Sequence, residues 1–93
     1  MSGKQLHKMH AFVGIFVESS LVDEVVQALS NINNVEELYE VTGEFDILIL
    51  MSASGLEEFR DTLMKEVLKI PGVKSTVSSI ALQAFKGPKC RRE

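Results

Sequence analysis

The sequence predicts an α+β sandwich: a four-stranded antiparallel sheet with two helices on one face. Three observations predict it. β-Branched apolar runs and helical periodicities follow in the order strand, helix, strand, strand, helix, strand. A short glycine turn, Thr42-Gly43-Glu44, joins the two middle strands. Both helix-to-strand junctions carry turn residues, Asn33-Asn34-Val35 and Pro71-Gly72-Val73, so the two halves echo each other.

Met9 to Val17 (Met-His-Ala-Phe-Val-Gly-Ile-Phe-Val) is β-branched and aromatic and predicts the first strand. Ser19-Ser20 ends it and supplies a helix N-cap, with Asp23 and Glu24 in the first turn, where carboxylates suit the helix dipole and close a capping box. Leu21, Val22, Val25, Val26 and Leu29 form the apolar face of a helix running to Ser30, which Asn31, Asn33 and Asn34 terminate. Val35 to Val41 is mixed and fits either type alone; its place between two turns favours a strand. Phe45 to Met51 is the most apolar stretch and predicts a central strand, broken by Ser52-Ala53-Ser54-Gly55, with Ser54 as the next N-cap. Leu56, Phe59, Leu63, Val67 and Leu68 give the second helix its stripe, while Glu57, Glu58, Arg60, Asp61, Lys65 and Glu66 face water. Ile70-Pro71-Gly72 stops that helix. Val73 to Phe85 is read as the last strand. With a right-handed crossover on each side of the middle hairpin, the order βαββαβ is the ferredoxin-like sandwich.

A chain of 93 residues is one domain with a thin core, and burial against a second copy would help it. The formal net charge of -3 argues against a nucleic-acid binder acting through bulk charge. No apolar run approaches the roughly 18–20 residues of a membrane span, and the opening lacks the apolar core of a signal peptide. Cys90 is the single cysteine, so no internal disulfide forms and a reducing, cytoplasmic setting is expected. The sheet carries a second signal. Ile47 to Met51 offers apolar side chains to both faces, and Phe12, Gly14 and Phe16 alternate with Ala11, Val13, Ile15 and Val17 without a polar residue. A one-sided sheet would alternate with polar residues. The sequence therefore predicts dimerisation through the sheet.

The catalytic inventory is thin. His7 and His10 stand near the polar start and are read as surface residues; Cys90 has no local base. No Ser-His-Asp order, HExxH, P-loop or GxGxxG occurs. Glu36, Glu37 and Glu40, and Glu57, Glu58 and Asp61, are read as solvated faces, and Lys86, Lys89, Arg91 and Arg92 as a solvated tail. No enzyme, cofactor or metal is expected. One place resists so bland a reading. A turn explains Gly43, but Asp46 opens an apolar strand beside the association face, where a carboxylate must be bonded, paired or wet. Two readings stand: Asp46 accepts turn amides, or it receives the ammonium of a small ligand such as an amino acid. In the second, hydroxyls of Ser75, Thr76, Ser78 and Ser79 help to hold the carboxylate.

Val41-Thr42-Gly43-Glu44-Phe45-Asp46-Ile47-Leu48, with Leu56-Glu57-Glu58-Phe59 and Leu68-Lys69-Ile70-Pro71-Gly72-Val73-Lys74-Ser75-Thr76, resembles the effector (RAM) domain of Lrp/AsnC transcription regulators. The resemblance runs from about Ala11 to Phe85. It implies the same sandwich, dimers formed through the sheets, rings of dimers, and amino-acid effectors held between dimers. Carried over by position, it implicates Val41, Thr42, Gly43, Phe45, Asp46, Thr76, Ser78 and Ser79 as ligand-binding residues, with Glu40 flanking the same turn. Full-length regulators carry a helix-turn-helix before this region; the polar stretch before the first strand is too short for one. A stand-alone form is therefore expected, with residues 1–9 a polar extension, 10–85 the effector domain and 86–93 a flexible basic tail. Its partners would be an amino acid, copies of itself and full-length regulators, without direct DNA contact or a membrane. Ser79 replaces a larger residue of many relatives. Two alternatives share the topology: an ACT-like amino-acid-binding module, and a small dimeric monooxygenase, whose polar cavity the apolar helix faces do not offer. An RNA-binding sheet would need a basic surface, which this chain lacks.

Overall fold

Alternation along the first strand decides which face of the sheet meets the helices. In the computed structural model, which describes residues 8–87, β1 (Met9–Val17) turns Ala11, Val13, Ile15 and Val17 inward, each nearly or fully buried. A 3-10 turn, Ser19–Leu21, leads into α1 (Val22–Ser30), and β2 (Val35–Glu40) and β3 (Ile47–Ala53) form the central hairpin. Then come α2 (Leu56–Thr62), a π-helical turn over Leu63–Val67, and β4 (Val73–Ile80). The four strands are antiparallel in the order β2-β3-β1-β4, the predicted sandwich. The core joins the inward residues of β1 to Ile47, Ile49, Met51 and Ala53 of β3, Val25 and Leu29 of α1, and Phe59 and Val67 of the second helical segment. Each such Val, Leu or Ile stabilises the fold by about 1.5–3 kcal/mol.

The opposite face carries the rows Tyr39-Leu48-Gly14-Val77 and Glu37-Leu50-Phe12-Ser79, read across the ladder. Phe12, Tyr39 and Val77 are exposed there at 41%, 50% and 50%, so an apolar surface without helical cover remains, as alternation predicts. Both outer strands are irregular: the register slips between Val35 and Glu37 on β2, and opposite Phe16 and Val17 on β4.

Several boundaries differ from expectation. β3 begins at Ile47 rather than Phe45 and runs through Ser52 and Ala53, because Ser52 pairs with His10 and its N–H bonds the Asn34 carbonyl at 2.9 Å. β4 ends at Ile80, not Phe85: Ala81 N–H still donates to the His10 carbonyl, but beyond it Leu82 and Phe85 are exposed and carry no strand pairing. Ser19 and Ser20 form the 3-10 turn rather than a cap, and α1 starts without a side-chain cap. Gly55, not Ser54, is the N-cap of α2. Leu56, the first residue of α2, and Leu68 stand outside the buried stripe, exposed at 53% and 36%; for Leu68, the π turn just before it shifts the last turn off the regular period. His10 lies half-buried in β1, 3.8 Å from Glu36, rather than in a frayed start. His7, Cys90, Lys89, Arg91 and Arg92 lie outside the described residues.

Gly72 closes the second crossover at φ 105°, where a Cβ would stand 2.9 Å from Leu21 Cβ and Val25 Cγ2. Gly72→Ala is expected to destabilise by about 1–3 kcal/mol from backbone strain alone, and further because Leu21 Cβ cannot swing away. A melting temperature within a degree or two of wild type would contradict this.

Candidate functional site

The loop between β2 and β3 is pinned at four points. Val41 N–H donates to the Asp46 carbonyl (3.1 Å) and Asp46 N–H to the Ile15 carbonyl (3.1 Å). Past Ile15–Ile47, the last β1–β3 pair, the Asp46 carboxylate takes over: its Oδ2 accepts Val17 N–H at 2.8 Å. The fourth point is the Phe45 ring, on the face away from the helices against Gly14 and edge-on to Phe16 at 5.4 Å. Gly43 sits at φ 128° with no neighbour within 4 Å of an added Cβ, so conformation rather than space requires glycine there. Thr42, Gly43, Glu44 and Asp46 are exposed. The loop thus offers a carboxylate held on one oxygen by a backbone amide, beside hydroxyl and amide groups open to solvent.

Of the eight residues singled out from sequence, Val41, Thr42, Gly43, Phe45 and Asp46 come together in this loop. Thr76 pairs with Ile15, level with the loop but separated from β3 by the width of β1. Ser78 pairs with Val13 and Ser79 with Phe12, roughly 7–10 Å further along than Thr76 at about 3.4 Å per residue. Ser78 shares the face of Val13, Ser79 that of Phe12. One chain alone therefore does not bring Ser78 and Ser79 to the loop. Glu40 flanks it, exposed, at the end of β2.

The sequence reading misses a second polar cluster, at the far end of the sheet. Glu58, read as part of a solvated face, accepts Ser54 N–H (2.7 Å) and Ser54 Oγ–H (2.8 Å) on Oε1 and Asn34 Nδ2–H (3.1 Å) on Oε2. Asn34 also donates to the Ser52 carbonyl at 2.8 Å, so the start of β2, the end of β3 and α2 are tied together. These residues line a cleft of about 330 Å³ with Lys8 and Asn33. The bond from the Ser54 amide, then those from Asn34 and the Ser54 hydroxyl, hold the Glu58 carboxyl down at about 2. The available signal is a hydroxyl four residues before a carboxylate at a helix start, which assigning Ser54 to the cap conceals. A folded-state value below the unfolded one stabilises the fold above about 4.5, and that contribution is lost as pH falls toward 2. Wild type should therefore lose more melting temperature between pH 5 and pH 2.5 than Glu58→Gln; parallel curves would show that the cluster contributes nothing to the fold.

Among the described residues no group of three His, Cys, Asp or Glu could hold a metal ion, and no helix is long and apolar enough to cross a membrane. The family described as the Lrp/AsnC ligand binding domain matches residues 10–89. The chain belongs to the Lrp/AsnC ligand-binding domain family. An uncharacterised HTH-type transcriptional regulator of Pyrococcus furiosus is 34% identical over 80 residues, covering 86% of this chain and 54% of that protein. The chain thus spans about half the length of the curated relatives it matches. Among solved structures, a protein from Thermus thermophilus superposes with a TM-score of 0.79 at 29% identity, over 85% of this chain and 99% of that one. A feast or famine regulatory protein of M. tuberculosis, complexed with L-methionine, superposes with a TM-score of 0.77 at 26% identity, over 95% of this chain and 63% of that one. Lrp/AsnC relatives are transcriptional regulators with a ligand-binding domain, not enzymes, and the monooxygenase alternative falls with that.

Proposed function

We propose that this Lrp/AsnC domain binds a free amino acid at the 41–46 loop, associates with copies of itself through the outer face of its sheet, and modulates transcription in the cytoplasm by joining full-length regulators. The observation that carries the reading is Asp46: a carboxylate oriented by the Val17 amide at 2.8 Å, yet exposed, at the mouth of a glycine turn. In this role Asp46 receives the ligand ammonium, and the loop amides with the Thr42 hydroxyl receive its carboxylate. Thr76, Ser78 and Ser79 complete the site from a neighbouring copy, since their own chain keeps the two serines away from its loop. A family defined by ligand binding, and a 26% identical regulator solved with L-methionine, support the class of ligand. The apolar outer face with Phe12, Leu48, Tyr39 and Val77, which no helix covers, supports the association.

Calorimetry against the twenty amino acids, L-methionine first, with mass measured in solution, tests both parts. At least one amino acid is expected to bind, to an assembly no smaller than a dimer. Absence of binding by all twenty would overturn the ligand reading, and a monomer at millimolar concentration the association. A gel-shift control should show no sequence-specific DNA binding at physiological salt by this chain alone.

A further inference from the structure

Gly14 has no backbone reason to be glycine. It sits mid-strand in β1, opposite Leu48 and Val77, outside the set of glycines with positive φ. Glycine in a strand interior costs stability and packs nothing, so its presence calls for a close approach. The structure shows one: a Cβ on Gly14 would lie 2.5 Å from Cγ and Cδ1 of Phe45 and 2.6 Å from Cε1. The ring fills the notch where a side chain would be, with Phe16 edge-on beside it at an interplanar angle of 64°.

The ring is also the loop's anchor on the outer face. Thr42, Gly43, Glu44 and Asp46 are exposed, a Cβ on Gly43 would meet nothing within 4 Å, and Val41 is half-buried at the β2 end. Phe45 immediately precedes Asp46, so seating its ring fixes where the next Cα starts, and with it the reach of the Asp46 carboxylate to Val17.

We propose that Phe45, seated in the notch over Gly14, is the positioning residue of the amino-acid site: the notch sets the ring, and the ring sets Asp46. The proposal rests on the reading of the 41–46 loop as that site. Gly14 thereby becomes a determinant of ligand affinity although it touches no ligand, because even a methyl group there must lift the ring and tilt the loop.

Three variants test it: Gly14→Ala, Phe45→Ala and the two combined. The first readout is hydrogen exchange of the Val17 amide by NMR, which follows the Asp46 bond without any ligand. Each single variant is expected to speed Val17 exchange about tenfold, the scale of one lost hydrogen bond, while the Val13 and Ile49 amides keep their protection. The combined variant should be no worse than Phe45→Ala, because the added methyl then meets no ring; such non-additivity is the mark of the contact. The second readout is affinity for the amino acid that wild type binds best, expected to fall about tenfold in both single variants. Unchanged Val17 exchange in Phe45→Ala, or losses that add in the combined variant, would overturn the proposal. So would full ligand affinity in a variant whose Val17 amide has opened. If Gly14→Ala does not fold, Phe45→Ala alone decides by the same criteria. Wild type that binds none of the twenty amino acids refutes the site reading, and Val17 exchange still decides whether the ring positions Asp46.

Discussion

Asp46→Asn is expected to weaken amino-acid binding about tenfold to a hundredfold while leaving the fold cooperative. Asparagine nearly matches the size of aspartate and keeps an oxygen that can accept the Val17 amide, so the 2.8 Å bond has a neutral substitute. What it loses is charge. A bond between an ammonium and a carboxylate is worth roughly 1.5–3 kcal/mol, more than its neutral counterpart, and that difference falls on the ligand. The competing view makes Asp46 a scaffold alone; it predicts a lowered melting temperature and unaltered affinity. Titration of one responsive amino acid against wild type and variant, beside melting curves without ligand, separates the two. Gly43→Val provides the contrast. With φ at 128° and open space around it, valine there strains the backbone without a clash, so loop geometry suffers and both affinity and stability fall.

Leu48→Lys is expected to convert the assembly to a folded monomer. Leu48 lies on the outer face between Tyr39 and Gly14, half-buried, where a lysine on a single chain can keep its ammonium in water. Between two sheets it cannot, and an unpaired buried charge costs several kcal/mol. Ile47→Lys differs sharply. Composition lets Ile47 to Met51 serve either face, but Ile47 is fully buried in the core with the helices, so its replacement should abolish folding rather than association. Sedimentation of the two variants checks both statements. A Leu48→Lys dimer of native mass would exclude the outer face as the interface.

The elements were legible because their signals are local. Alternation in β1, the periodicity of α1 and the glycine turn each follow from neighbours in sequence. Gly43 in particular follows from turn chemistry and stands at positive φ. What escaped needed partners far away in the chain. Phe45 has the composition of a strand residue, and only Gly14, thirty-one positions earlier, draws it out of the ladder and onto the sheet. Ser52 and Ala53 read as breakers, yet pairing with His10 and Met9 keeps them in β3. Leu82 and Phe85 read as strand because they are apolar, but pairing with β1 stops at Ile80 and both stand exposed. The candidate site residues divide the same way: the resemblance names 41–46, which chain order alone keeps in one loop, whereas the distance from that loop to Ser78 and Ser79 depends on register, which composition does not encode.

The slipped registers of the two outer strands bear on how such assemblies end. A flat edge strand presents open amides and carbonyls in a regular row, a template to which another chain can add, and each addition exposes a new edge, so growth has no natural limit. Here β2 bends between Val35 and Glu37 and carries Glu36, Glu37 and Glu40, while β4 is irregular near Lys74 and Ser75. Neither row is straight enough to template a neighbour over its full length, and two β2 edges, each carrying three glutamates, repel. Pairing through the faces, by contrast, is self-complementary and consumes the surface it uses. Under the proposed face-to-face association, the irregularities act as terminators: they steer a small, sticky sheet toward closed particles of fixed stoichiometry and away from fibres.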